Sequence, residues 1–158
     1  MSAAAGVVLL LTGCGGEGTA SSGGSGDKGV KVEAATVAKE IDAATKAAGF
    51  TKDTSFSRVS SELKDCMVDW AADDPGKAAD PKKALADTYA GLVKAGWTEG
   101  KSERKGYTDV KTLTKGDWEL KAASDLDKGI KAVVFAGTRT SPECVELILA
   151  DMGSGKKN

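Results

Sequence analysis

Val110-Lys111-Thr112-Leu113-Thr114-Lys115-Gly116-Asp117-Trp118-Glu119-Leu120-Lys121-Ala122 is the stretch that decides the fold. Val110, Thr112 and Thr114 recur every second residue before Lys115-Gly116-Asp117, and Trp118, Leu120 and Ala122 do so after it. A period of two is that of a strand with one buried face, and a short glycine-containing break between two such runs reads as a β-hairpin. A second turn is expected over residues 125–129, followed by a strand over 130–138 carrying Ile130, Val133, Val134 and Phe135. Upstream, Cys66, Val68 and Trp70 alternate with Asp65 and Asp69, which predicts a half-buried strand within residues 64–71.

Around these strands the period changes to that of a helix. Val37, Ile41, Ala44 and Ala48 lie on one face and Gly49 follows as a stop, predicting a helix over residues 34–48. Asp80 is an N-cap with Pro81 in the first helical position, and Ala84, Leu85, Thr88, Tyr89, Leu92 and Val93 form a stripe ended by Gly96. That predicts a second helix over 81–95. Residues 72–80, with Asp73, Asp74, Pro75 and Gly76, read as a turn region, and Trp97 is expected to fold back on the core. Pro142 ends the strand region, with a short closing helix expected over 143–152 and a loose tail over 153–158. The expected domain, residues 30–152, is α+β: an antiparallel sheet of about four strands with two helices packed on one face.

The 22 basic and 23 acidic residues leave a formal net charge of −1, so affinity gained by neutralising phosphates, and hence nucleic-acid binding, is not expected. The chain has no histidine, which removes the usual general base, the imidazole metal ligand and Ser-His or Cys-His nucleophiles. No apolar run approaches the roughly 20 residues of a membrane-spanning helix.

Residues 3–11 form a short apolar run, Ala3, Ala4, Ala5, Gly6, Val7, Val8, Leu9, Leu10 and Leu11, followed by Thr12, Gly13 and Cys14. The length suits the core of a signal peptide. Leu11-Thr12-Gly13-Cys14 resembles the lipobox of bacterial lipoproteins. The resemblance implies that the Cys14 thiol receives a diacylglyceryl group and that signal peptidase II, recognising Leu11, Thr12 and Gly13, cuts before Cys14. Residues 1–13 are then a lipoprotein signal peptide. Residues 14–29 are the lipidated cysteine and a Gly/Ser-rich tether, flexible by composition. Met1 and Ser2 bring no cation to the front of the apolar run, so the coding start is expected upstream of Met1. Two acyl chains hold a protein on a membrane where one does not. The implied address is the extracytoplasmic face of the cell membrane, with membrane lipid as the first partner.

With Cys14 assigned to lipid, Cys66 and Cys144 remain in a compartment where oxidation is expected, and we expect them to pair. Neither sits in a Cys-x-x-Cys motif, so a redox-active pair is the weaker alternative, with two separate buried thiols as the other.

No constellation in the domain compels a chemistry. Asp65, Asp69, Asp73, Asp74 and Asp80 lack the spacing, glycine and terminal glutamate of an EF-hand, so a solvated turn is expected and no metal site. Lys101, Arg104, Lys105, Lys111 and Lys115 could face anionic lipid or wall polymer, but a solvated hairpin face is the simpler reading. Trp70, Trp97 and Trp118 could line a pocket for a flat ligand, though tryptophans more often fill a core. No Ser-x-x-Lys or Gly-x-Ser-x-Gly motif is present, and no catalytic residue or cofactor is expected. The reading is a small bacterial lipoprotein displaying a binding domain to an unidentified protein or cell-wall partner. An exported enzyme modulator or inhibitor, or a ligand-binding module using the tryptophans, is the alternative.

Overall fold

A computed structural model describes residues 31–127 and 131–154. The expected signal peptide over residues 1–13, Cys14 with its tether, and the last four residues lie outside the described residues. Helix α1 spans Ala34–Ala47, β1 Met67–Ala71, a single 3-10 turn Pro75–Lys77, and α2 Pro81–Lys94. Four strands follow in succession, β2 Thr98–Lys105, β3 Thr108–Lys115, β4 Trp118–Asp125 and β5 Ala132–Arg139, and α3 Pro142–Ser154 closes the chain. The sheet order is β1-β5-β4-β3-β2, antiparallel throughout: a four-strand meander with β1 added beside β5.

The class is therefore α+β with one antiparallel sheet, but among the described residues that sheet has five strands where about four were expected, and the closing helix stands as a third beside the two packed ones. The missed strand, β2, is Thr-Glu-Gly-Lys-Ser-Glu-Arg-Lys, exposed at every position. An edge strand of this kind is held by backbone pairing to its neighbour and charged against further pairing, so it has no apolar alternation to read. It also carries a bulge, one extra residue between Glu99 and Ser102. Both tight hairpins, β2–β3 and β3–β4, place glycine first in a two-residue loop, Gly106 at φ +64° and Gly116 at φ +56°. The second is the predicted break, and its left-handed first residue matches the twist of the strands it joins. The third helix, α3, runs two residues into the stretch read as a tail.

Asp80 caps α2 through its side chain to the Lys83 N–H at 3.0 Å, with Pro81 in the first turn as predicted. The helices bury Val37, Ile41 and Thr45 of α1 and Ala84, Leu85, Thr88 and Leu92 of α2. Against them stand Leu113, Trp118, Leu120, Ala122, Val133 and Phe135 from one face of the sheet. Thr45 and Thr88, both fully buried, donate their hydroxyls to Ile41 O at 2.8 Å and Ala84 O at 2.9 Å, which satisfies each group within its own helix. Among the described residues, every buried core side chain and both half-cystines lie from Val32 to Cys144, so a chain beginning at residue 14 contains all of them.

Gly137 sits in β5 opposite Val68 of β1. A Cβ there would stand 2.5 Å from Val68 Cγ2 and 3.6 Å from Leu120 Cδ1, in the packed interior. Gly137→Ala is expected to destabilise the domain by about 1–3 kcal/mol through overpacking. Urea unfolding checks this, and a cost below about 0.5 kcal/mol would show that Val68 can move aside at no strain.

Candidate functional site

The three tryptophans are core residues. Trp70, Trp97 and Trp118 are 2%, 2% and 1% exposed, and they fill the core. Burial of an indole calls for a partner to its N–H, and all three find one on or just before α1. Trp118 Nε1 donates to Val32 O at 2.8 Å, Trp97 Nε1 to Glu40 Oε2 at 2.9 Å, and Trp70 Nε1 to Asp42 Oδ1 at 3.3 Å. Trp70 borders a concavity of about 290 Å³ together with Asp42, Thr45, Lys46 and Phe50. The indoles orient α1 on the sheet.

The basic segment is divided rather than assembled. Strand alternation sends Arg104, Lys111 and Lys115 toward the helices, where each meets carboxylate: Arg104 meets Asp127 at 2.8 Å, Lys111 meets Glu99 at 2.6 Å and Lys115 meets Glu40 at 2.5 Å. Lys105 pairs with Glu103 at 3.4 Å. The acidic residues are likewise spent on local structure: Asp69 accepts from the Arg58 backbone N–H at 2.5 Å, Asp74 caps the 3-10 turn, and Asp80 caps α2. Among the described residues no three potential ligands gather around a metal-sized point.

A groove of about 420 Å³ runs between α2 and the β2–β3 hairpin, bordered by Leu85, Tyr89, Ser102, Arg104, Asp109 and Lys111. Lys111 Nζ stands 4.7 Å from the centre of the Tyr89 ring. Burial pushes the Tyr89 phenol up to about 12, with the negative charges of Asp109 and Glu99 adding to it. Beyond Arg104, Asp127 joins α2 to β2 through Lys82 at 2.6 Å and Arg104 at 2.8 Å. Hydrogen bonds first from Lys82 and then from Arg104 hold its carboxyl at about 2. The charged side chains bordering the groove are already matched, so a charged ligand would have to displace an ion pair to bind there.

The opposite pole concentrates more of the molecule's unusual features. Cys66, immediately before β1, is joined to Cys144 in the first turn of α3, with Cα atoms 5.2 Å apart and both residues buried. Beside the bridge, Arg139 at the end of β5 is only 6% exposed. Its guanidinium lies 5.1 Å over the Trp118 ring and donates through Nη2 to Val32 O, the same carbonyl that accepts from Trp118. Arg139 Nε stands 3.2 Å from Asp117 Oδ2 without hydrogen-bond alignment, and Asp117 Oδ1 is buried with no hydrogen-bond partner. Lys31, Asp65, Asp117, Arg139, Ser141 and Glu143 line a cavity of about 570 Å³ over the bridge. The Glu143 carboxyl is held below the usual range by its own backbone N–H, then by the Ser141 hydroxyl, with Lys31 adding attraction. At this pole three things meet: the entry of the chain into the domain, the disulfide, and the root of α3. The pairing of Cys66 with Cys144 was legible from the sequence; the Arg139–Val32 clamp was not, because an arginine at a strand end carries no signal of burial.

Beyond the pole, α3 stands apart. Among the described residues, no helix or strand packs extensively along it. Val145, Leu147, Leu149 and Met152 are 42%, 48%, 59% and 63% exposed.

These features define a small α+β domain with one disulfide, its five-strand antiparallel sheet backed by two helices and its third helix left outside the core. No family model, no curated protein and no solved structure matches the chain.

Proposed function

We propose that the chain is an exported bacterial lipoprotein, held on the outer side of the cytoplasmic membrane by a diacylglyceryl group on Cys14, and that its domain acts by binding a protein or wall component and not by catalysis. The observation that carries this reading is the cysteine pairing. Cys66 and Cys144 close a buried bridge, as an oxidising compartment allows, and Cys14 alone is left over, at the end of an apolar run and behind Leu11-Thr12-Gly13. The matched charges of the groove and the use of the three indoles within the core support a domain built as a rigid display rather than around a reactive centre.

Mass analysis of the protein isolated from its own membranes tests the reading. The expected product starts at Cys14 and carries the mass of a diacylglyceryl group, and inhibition of signal peptidase II leaves residues 1–13 attached. Recovery of an unmodified Cys14 still joined to the preceding residues overturns it.

A further inference from the structure

We infer that α3 is an interfacial helix that lies on the lipid bilayer and gives the domain a second, reversible attachment beside its anchor. This rests on the lipoprotein reading above, which supplies the bilayer. Val145, Ile148, Leu149 and Met152 recur at i, i+3, i+4 and i+7, the stripe that an amphipathic helix buries. Here it is turned to solvent, three of its four members being exposed by more than two fifths. Glu143, Glu146 and the exposed Leu147 lie off this stripe, so the dry side is the stripe itself and the other side is mixed, acids with one leucine.

The geometry of the chain says what covers the dry side. Lys31, where the described chain begins, lines the same cavity as Glu143 and the disulfide at the root of α3, so tether and helix leave the domain from one pole. The fifteen residues 15–29 give a Gly/Ser-rich chain an r.m.s. reach of about 20 Å. The thirteen residues of α3 extend about 20 Å. A surface at the far end of the tether is therefore within reach of the whole helix. A second copy is the less fitting occupant, because one stripe of four side chains on a three-and-a-half-turn helix falls well short of the area that a stable dimer buries. Interfacial helices usually add Lys or Arg toward anionic lipid; α3 carries acids, so its binding is driven by apolar burial and weakens on anionic membranes.

The test uses the chain from residue 14 with Cys14→Ser, which contains every described residue and no acyl group, floated with phosphatidylcholine vesicles with and without phosphatidylglycerol. Binding to phosphatidylcholine is expected, reduced by phosphatidylglycerol, and lowered by more than about tenfold in Leu149→Glu/Met152→Glu, whose altered side chains are exposed in the fold. A nitroxide attached through Met152→Cys in the same chain is expected to move into the apolar phase when vesicles are added, a readout that does not depend on the double variant folding. No flotation, flotation only on phosphatidylglycerol, a nitroxide that stays in water, or a concentration-dependent dimer abolished by the double variant in place of vesicle binding each overturns the inference. A bare Cys14 in cells together with vesicle binding here would overturn the anchor alone.

Discussion

Replacing both Cys66 and Cys144 by alanine lowers the stability of the domain by about 4 kcal/mol. The bridge closes a loop of 78 residues, more than half of the described domain. Cross-linking so long a loop removes many conformations from the unfolded chain, and that loss, more than any contact made by the sulfurs, is what raises the free energy of unfolding. Two consequences separate this account from simple loss of packing. The urea m-value of the reduced or substituted protein rises, since an unfolded chain freed of the cross-link exposes more surface. The melting temperature falls by on the order of 15 °C for a domain of this size. Locally, the root of α3 loses its covalent attachment to the start of β1, so the amides of its first turn exchange faster than those of α1 and α2. Equal stability with and without the bridge, to within about 1 kcal/mol, would contradict the loop-closure argument.

Arg139→Met is expected to cost about 3–5 kcal/mol, because methionine keeps much of the volume over Trp118 and removes only the charge and the donors. The guanidinium offsets two unfavourable burials at once. It faces Asp117, one of whose carboxylate oxygens is already buried without a hydrogen bond, and it supplies Val32 O with a second donor. Taking the cation away leaves a partly buried carboxylate uncompensated, and that penalty exceeds the net worth of the pair itself. Arg139→Met combined with Asp117→Asn is therefore expected to recover much of the loss, and a double-mutant cycle in urea measures the coupling. Additive costs would show that Asp117 is solvated well enough to stand alone. Because Val32 is where the chain enters the domain, the single variant should also loosen that entry, seen as faster exchange of the Glu33 and Ala34 amides.

The comparison between what the residues suggested and what the fold contains follows the reach of each interaction. Helix α2 was legible to within one residue because its signals are local: an Asp80 cap, Pro81 in the first turn, a 3.6-residue stripe and Gly96 after the end. The β3–β4 hairpin was legible for the same reason, with Gly116 between two alternating runs. Strand β2 was not, because an exposed edge strand owes its conformation to the backbone of β3 and needs no apolar face of its own. The tryptophans were read toward the core, yet their shared orientation on α1 could not be read, since their N–H bonds span 28, 57 and 86 residues of sequence.

Composition, period and turn chemistry by themselves determined that this chain makes an α+β domain with antiparallel strands, that two cysteines were available to pair in it, and that a third stands in a lipobox-like setting outside it. Those are properties of neighbouring residues, and a few bonds' worth of chain carries them. Only the tertiary structure decided that the chain's entry, the bridge and the root of α3 share one pole, and that the apolar stripe of α3 is left uncovered. Such placements depend on contacts like that of Arg139 with Val32, 107 residues apart, whose energy exists only after the whole sheet has closed.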